Sequence, residues 1–414
     1  MYATSGNGIN RPLGSIVLSA LLLAASTPLL ASGDQGFLYG RVTTASGTSY
    51  EGRLRWGGEE SFWGDFFNGT KRDRTYPDEM PEGVRSRKEP VKIFGITVRW
   101  GSNGSEVSRV YKARFGDIAE IRVRGGDSAT VVMKSGNEYR IDGGSNDLGG
   151  EIQIWDDSIG EVSLDWKRIE SIEFLAAPKR LDVGASRLYG TVQTTSGEFR
   201  GFVQWDQDEC LSTDKLDGDS ADDADLSIAM GRIRTIERRS SRSSLVVLKD
   251  GREFVLDGSN DVDSSNNGIF VDDPRFGRVL IDWEAFERID FEEPADSGPA
   301  YEEFKSAAML RATVTDRRGG SFRGRIVYDL DESEGWEFLD GSARNIDYII
   351  PMDMIASIEP QGRDSSLVRL RNGEELELAD AADVDEGNDG VLILSAGDSQ
   401  TYVPWDEIRR IQFD

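Results

Sequence analysis

The sequence predicts an all-β fold of three tandem modules, each a pair of small SH3/Sm-like barrel or sandwich units built from hairpins and closed by a one-turn helix. Three observations predict it. A short aromatic- or Met-led anchor occurs six times, paired alternating runs flank Gly-containing turns, and the whole pattern returns three times along the chain.

The anchor is clearest at Trp283, Phe286 and Ile289. Its other copies are Phe115/Ile118/Ile121, Trp166/Ile169/Ile172, Met230/Ile233/Ile236, Met352/Ile355/Ile358 and Trp405/Ile408/Ile411. Before it, Val279, Ile281 and Trp283 alternate with Leu280 and Asp282, the period of a strand with one buried face. Apolar residues three apart then fit a single tight helical turn. After the turn, Ile289/Phe291, Ile172/Phe174 and Ile411/Phe413 alternate again, so a second strand leaves it. Burying each large side chain stabilises by roughly 1.5–3 kcal/mol, enough for six copies to organise the chain. At the level of fold, strand, helical turn and strand resembles the closing segment of SH3-like and Sm-like barrels.

In chain order, residues 1–33 read as a signal peptide. A polar start with Arg11 precedes the apolar run Leu13–Ala25, and Ala31-Ser32-Gly33 offers a small-residue end with cleavage before Asp34. The run is broken by Gly14, Ser15 and Ser19 and falls short of the roughly 20 apolar residues of a membrane span. No transmembrane segment is expected once the signal is cleaved. The modules then occupy 34–178, 186–294 and 307–414. Their first halves align as hairpins ending at Trp56, Trp205 and Tyr328. Their second halves align through Lys134-Ser-Gly136, Lys249-Asp-Gly251 and Arg371-Asn-Gly373, turns that supply positive φ. Ala176-Ala-Pro178 and Pro294–Pro299 have linker composition, and Tyr301–Met309 reads as a short helical connector with Phe304 and Ala308 on one side.

The first module carries an insertion, 57–114, rich in aromatics (Phe62, Trp63, Phe66, Phe67, Tyr76, Phe94, Trp100) and bases (Arg85, Arg87, Lys88, Lys92, Arg99, Arg109, Lys112, Arg114). Elaborations on a rigid scaffold often carry function. The plainer expectation is that Ile93–Trp100 adds a strand pair, the aromatics enlarge the core, and the bases pair with acids elsewhere on the chain.

Composition narrows the chemistry. There are 75 acids against 48 bases, a formal net charge of -27, which argues against nucleic-acid binding and suits a soluble, self-repelling surface. Screening that repulsion should raise the melting temperature as salt goes from low to moderate, and a falling one would contradict the reading. The chain has no histidine and one cysteine, Cys210, in an acidic loop, Asp206–Asp225. Histidine-based nucleophile pairs, His-liganded zinc and internal disulfides are excluded together. Asn260-Asp261-Val-Asp263-Ser-Ser-Asn266-Asn267-Gly268 and Asp383-Val-Asp385-Glu-Gly-Asn388-Asp389-Gly390 partly resemble calcium loops but lack the closing bidentate acid; Asn146-Asp147 is the first module's remnant. The same residues are ordinary turn formers. Gly143–Gly150 lacks a phosphate-binding Lys, and the turns at Ser46 and Ser196 lack the flanks of a nucleophile elbow.

No catalytic, binding or metal residue stands out, and no cofactor is expected. The functional expectation is an exported, non-catalytic binding or scaffolding protein of the cell envelope, periplasmic or secreted, with an envelope protein or polysaccharide as partner. The alternatives are a hydrolase of an extracellular polymer using paired carboxylates, and a calcium-dependent structural repeat protein.

Overall fold

The structure is a computed structural model. It describes residues 1, 35–71, 91–93, 96–98, 109–143, 147–181, 183–222, 224–305, 307–395 and 400–414, with backbone only at 91–93, 96–98 and 109. The stretch read as a signal peptide lies outside the described residues apart from Met1, as do Arg85, Phe94, Trp100 and most of the basic insertion.

Among the described residues there is no α-helix. The chain forms two large antiparallel sheets and one isolated pair, Val91–Ile93 with Ile96–Val98. The first large sheet has ten strands. Its order is Gly160–Asp165, Glu151–Asp156, Ser49–Trp56, Tyr39–Thr44, Ile169–Phe174, Ile118–Val123, Ser128–Met133, Glu138–Asp142, Phe66–Lys71, Arg109–Arg114.

The second sheet has twenty strands, and its ladders repeat that order twice. The registers repeat as well: Val42 faces Ile172, Val192 faces Ile289, and Val314 faces Ile411. The two runs join where Gly277–Ile281 pairs with Ile346–Pro351.

Neither sheet closes into the small barrels expected from the sequence. Closure requires a run's last strand to return to its first, and Gly277–Ile281 instead spends its free edge on the following segment. The two halves of each segment also fail to separate. The strands after the two helical turns, Ile118–Val123 and Ile169–Phe174, are hydrogen-bonded to each other, and one core collects Leu54, Trp56, Phe115 and Trp166.

All six anchors are buried, Trp405 being the most exposed member at 7%. Five form a single 3-10 turn, at Phe115–Asp117, Trp166–Arg168, Met230–Arg232, Met352–Met354 and Trp405–Glu407. The Trp283 copy, the clearest in sequence, is the exception. Ala285 and Phe286 both donate their amides to the Asp282 carbonyl at 3.0 Å, leaving a turn with no helix.

Three further expectations need correction. The insertion 57–114 is shorter than it reads, because Phe66–Lys71 and Arg109–Arg114 are shared elements. Lys215–Ser220 with Asp225–Ala229, and Phe338–Ser342 with Ile346–Pro351, hold the same places. The stretch Asp206–Asp225 therefore holds the strand Lys215–Ser220 and is not loop throughout, and Cys210, in its turn portion, is buried against Phe37, Phe62 and Leu211. Tyr301–Met309 is no helix beyond the single turn Tyr301–Glu303. The described part of the basic, aromatic stretch does what the plainer expectation holds. Phe62, Trp63, Phe66 and Phe67 are core, Lys71 pairs with Asp331 and Glu337, and Lys112 pairs with Asp340.

The three segments meet at one apolar cluster, Phe66, Phe270, Leu280, Phe338 and Ile349. Phe66 meets Phe338 edge to face at 4.9 Å, and Arg278 lies 4.6 Å over Phe66.

Close backbone approach in the first hairpins fixes where glycine is required. An added Cβ at Gly201 would sit 1.9 Å from the Asp272 carbonyl oxygen, and at Gly190 2.5 Å from that of Asp290. The third segment, however, carries Ala312 where the second has Gly190, each opposite its paired glycine, and Gly324 where it has Gly201. The fold thus already accommodates a methyl at one position and not at the other. Gly190→Ala should change stability by less than about 1 kcal/mol, whereas Gly201→Ala should cost about 1–3 kcal/mol through forced backbone separation. Urea titration of the two variants checks this, and equal losses would contradict it.

Candidate functional site: a cleft beside the helical turn

In each segment the second strand of the first hairpin runs up to a large aromatic, its last residue Trp56 or Tyr328 or the next residue Trp205, which enters a two-residue turn with positive φ. The turn residues are Gly57-Gly58, Asp206-Gln207 and Asp329-Leu330. Non-glycine residues are strained there, and the loops read as calcium-like supply the compensation. Asp206 accepts hydrogen bonds from the Asn267 amide and the Asn260 side chain, and Asp329 accepts one from the Asp389 amide. Asp261 accepts from the Asp217 amide at 2.6 Å and Asp383 from the Asp340 amide at 2.7 Å; Asp147 does the same for Asn68 at 2.6 Å. The loop carboxylates thus pin backbone. Among the described residues no three His, Cys, Asp or Glu side chains gather as a metal-binding group.

Behind the same turn a glutamate pairs back across it: Glu60, Glu209 and Glu332. Burial, reinforced by Asp147, Asp261 and Asp331 respectively as the largest charge effects, raises the pKa of each. Glu209 is pushed up to about 9, and Asp147, by burial above all, to about 7. Among the described residues the Oε2 atom of all three glutamates is buried without a hydrogen-bond partner. A neutral carboxylic acid tolerates that position better than a carboxylate does.

The other recurrent feature is a surface cleft between the helical turn and the second-half hairpin. Its frame is identical in the three segments. Gly116, Gly231 and Asp353 donate their amides to Trp63, Ser212 and Gly335 at 2.8, 2.8 and 3.0 Å. Lys134, Lys249 and Arg371 donate theirs to Asp117, Arg232 and Met354 at 2.9, 2.8 and 2.8 Å. A basic residue therefore stands at the lip each time, two places before the turn glycine.

In the first segment the cleft is filled by the chain itself. Tyr301 stacks on Trp63 with ring centroids 4.5 Å apart, and its hydroxyl donates to the Ile118 carbonyl at 2.9 Å. The Phe304 ring lies over Gly116, where any Cβ would come within 2.4 Å of it. Lys134 Nζ donates to the carbonyls of Tyr301 and Phe304 at 2.5 and 2.8 Å and sits 3.3 Å from the centre of the Tyr301 ring. Burial at this contact lowers the Lys134 pKa to about 8, against the pull of Asp117 and Glu302.

The other two clefts are open. That of the second segment holds about 320 Å³ and is lined by Leu188, Ser212, Met230, Gly231, Lys249 and Phe291, among others. That of the third holds about 750 Å³ and is lined by Leu310, Gly335, Met352, Asp353, Arg371 and Phe413, together with Phe304 and Ala308 of the connector. The basic residues at their lips are engaged locally. Lys249 pairs with Glu293 at 2.6 Å, and Arg371 donates to the carbonyls of Asp353 and Asp414, both at 2.8 Å.

No family matches this chain. The scan of family models and the search of curated proteins each return nothing. One solved structure, described as streptogramin B lyase, aligns at 9% identity over 72% of this chain and 94% of its own, with a TM-score of 0.14. A likeness that slight carries no inference about fold or activity.

Sequence reasoning named no site residue, and the cleft is why. Its walls come from strands far apart in the chain, and its basic lip reads locally as a hairpin turn. The available signal was the position shared by Lys134, Lys249 and Arg371 in the aligned second halves.

Proposed function

We propose that the chain is an exported, non-catalytic binding or scaffolding protein of the cell envelope, made of three tandem β-modules at 34–178, 186–294 and 307–414. Each module combines two SH3/Sm-like half-units into one sandwich. The observation that carries the binding reading is the recurrent cleft, which in one copy already grips a peptide segment by ring stacking and carbonyl capture. Such a cleft recognises an extended or turned chain, peptide before glycan, presented by an envelope protein or polysaccharide. Export rests on the signal-like N-terminus.

Acids also line the open clefts, Asp117, Glu303, Asp353 and Asp414 in the larger and Glu292 and Glu293 in the smaller, so the rival reading, a polymer hydrolase, is separated from binding by assay. Peptide and glycan arrays probed with the full chain should give saturable ligands that lose at least about tenfold in affinity on Lys249→Glu or Arg371→Glu, the cost of one charged contact. A polysaccharide panel incubated with the protein should show no turnover, and turnover above blank would replace this reading with the hydrolase. Fractionation should recover the mature chain outside the cytoplasm, beginning near Asp34; an intact cytoplasmic chain would contradict export.

A further inference from the structure

We infer that the open cleft of the second segment is a docking site for a partner peptide bearing two aromatic residues three apart, with acidic residues between them. The inference rests on the binding reading above and gives its ligand a chemistry.

The occupied cleft defines the template. Its ligand is Tyr301-Glu302-Glu303-Phe304, a single 3-10 turn that sets both rings on one side. Glu303 stabilises the turn by accepting the Ala300 amide at 2.9 Å. Four features of the receiving surface recur in the second segment. Gly231 stands where Gly116 leaves room for the Phe304 ring. Met230 and Phe291, which line this cleft, stand where the first segment has Phe115 and Phe174 in its core. Ile233 stands where Ile118 offers its carbonyl to the tyrosine hydroxyl, and Lys249 stands where Lys134 captures the two carbonyls. The third segment departs at the decisive point, with Asp353 in place of the glycine, so the smaller cleft is the better match.

Charge points the same way. In a chain of net charge -27, this lip carries Arg232, which forms no ion pair among the described residues, and Lys249, whose partner Glu293 is mostly solvent-exposed. The remaining acid at the rim, Glu292, is held by Arg200 at 2.6 Å. A Glu-Glu pair between the aromatics would meet these two bases, and water exclusion beneath the rings would strengthen the contact. The chain's own copy of the ligand is committed to the first segment, so the occupant comes from a partner.

The test uses the full chain and a labelled synthetic peptide with the sequence of residues 298–308, read by fluorescence anisotropy. Saturable micromolar binding is expected. It should weaken at least tenfold for a peptide in which Tyr301 and Phe304 are alanine, and for the protein variant Lys249→Glu/Arg232→Glu. Ser212→Trp restores the ring that Trp63 supplies in the filled cleft and should tighten binding severalfold, a gain that misfolding cannot produce. The inference is overturned by absence of saturation up to about 1 mM. It is equally overturned by binding that responds to Lys134→Glu and ignores the Lys249 variant, because the peptide would then be displacing the connector. If arrays still yield a ligand while this peptide does not bind, the binding reading stands and the aromatic-turn ligand is withdrawn.

Discussion

Replacing Arg278 with alanine is expected to destabilise the protein by about 3–5 kcal/mol, the range for removing one partner of a buried ion pair. Arg278 is 6% exposed and lies where the first and second segments meet. Its Nε donates to Asp272 at 2.6 Å and one terminal nitrogen donates to Asp65 at 3.0 Å. Arg187 reaches the same Asp272 at 2.7 Å. Burial alone would raise the Asp272 pKa, but the two arginines outweigh it and hold the carboxyl below its usual range. Asp65 is needed elsewhere too, since its other oxygen accepts the amides of Ser61 and Phe62, both at 2.9 Å. Without Arg278, the buried Asp65 and the half-buried Asp272 face each other with Arg187 alone between them. Arg318→Ala, by contrast, breaks an ion pair with Glu407 whose arginine is 80% exposed and should cost no more than about 1 kcal/mol. Equal losses in urea titration would mean that the junction does not hold the segments together.

The second large effect is a dependence on pH. Glu60, Glu209 and Glu332 all have pKa values raised by burial, as do Asp147 and Asp206, the latter to about 6. A carboxyl whose pKa is higher folded than unfolded binds its proton preferentially in the folded state. Its contribution is complete below the unfolded value, near 4.5 for Glu, and disappears as pH rises through the folded value, about 9 for Glu209. Each such group changes stability by about 1.4 kcal/mol per pH unit within its window. Net negative charge acts in the same direction, because self-repulsion grows as acids ionise. Stability should therefore peak near pH 5 and fall by several kcal/mol towards pH 9. Below pH 4 it should fall again, as Asp272 and Asp273, whose pKa values are depressed, take up protons. The triple variant Glu60→Gln/Glu209→Gln/Glu332→Gln should flatten the alkaline limb, and an unchanged limb would contradict the assignment.

The anchors were legible because their signal is local. An aromatic or Met followed by aliphatics three residues apart has one economical solution, and all six copies bury it. The strand Lys215–Ser220 was not legible. In Lys-Leu-Asp-Gly-Asp-Ser only Leu216 is apolar, and the second inward position is Gly218, kept small by Leu256 and Val262. Period two cannot appear when half of the inward face has no side chain, so the stretch read as an acidic loop and its counterpart Phe66–Lys71 as part of an insertion. Barrel closure was misjudged for a different reason. Which edge a terminal strand pairs with depends on a partner some seventy residues away, as Gly277–Ile281 with Ile346–Pro351 demonstrates. The cleft escaped notice for the same reason. Each wall is ordinary turn or strand sequence, and only their juxtaposition, with Tyr301 and Phe304 seated in one copy, gives them chemical meaning.

Amide hydrogen exchange on the full chain, alone and saturated with a ligand taken from the arrays, tests the central claim most directly. Protection should rise at the cleft of the second or third segment, around Gly231 and Lys249 or around Asp353 and Arg371, and the first segment should stay unchanged because its cleft is already filled. Protection confined to surfaces away from these positions, or exchange of the Tyr301–Phe304 amides as fast as in a free peptide, would contradict it.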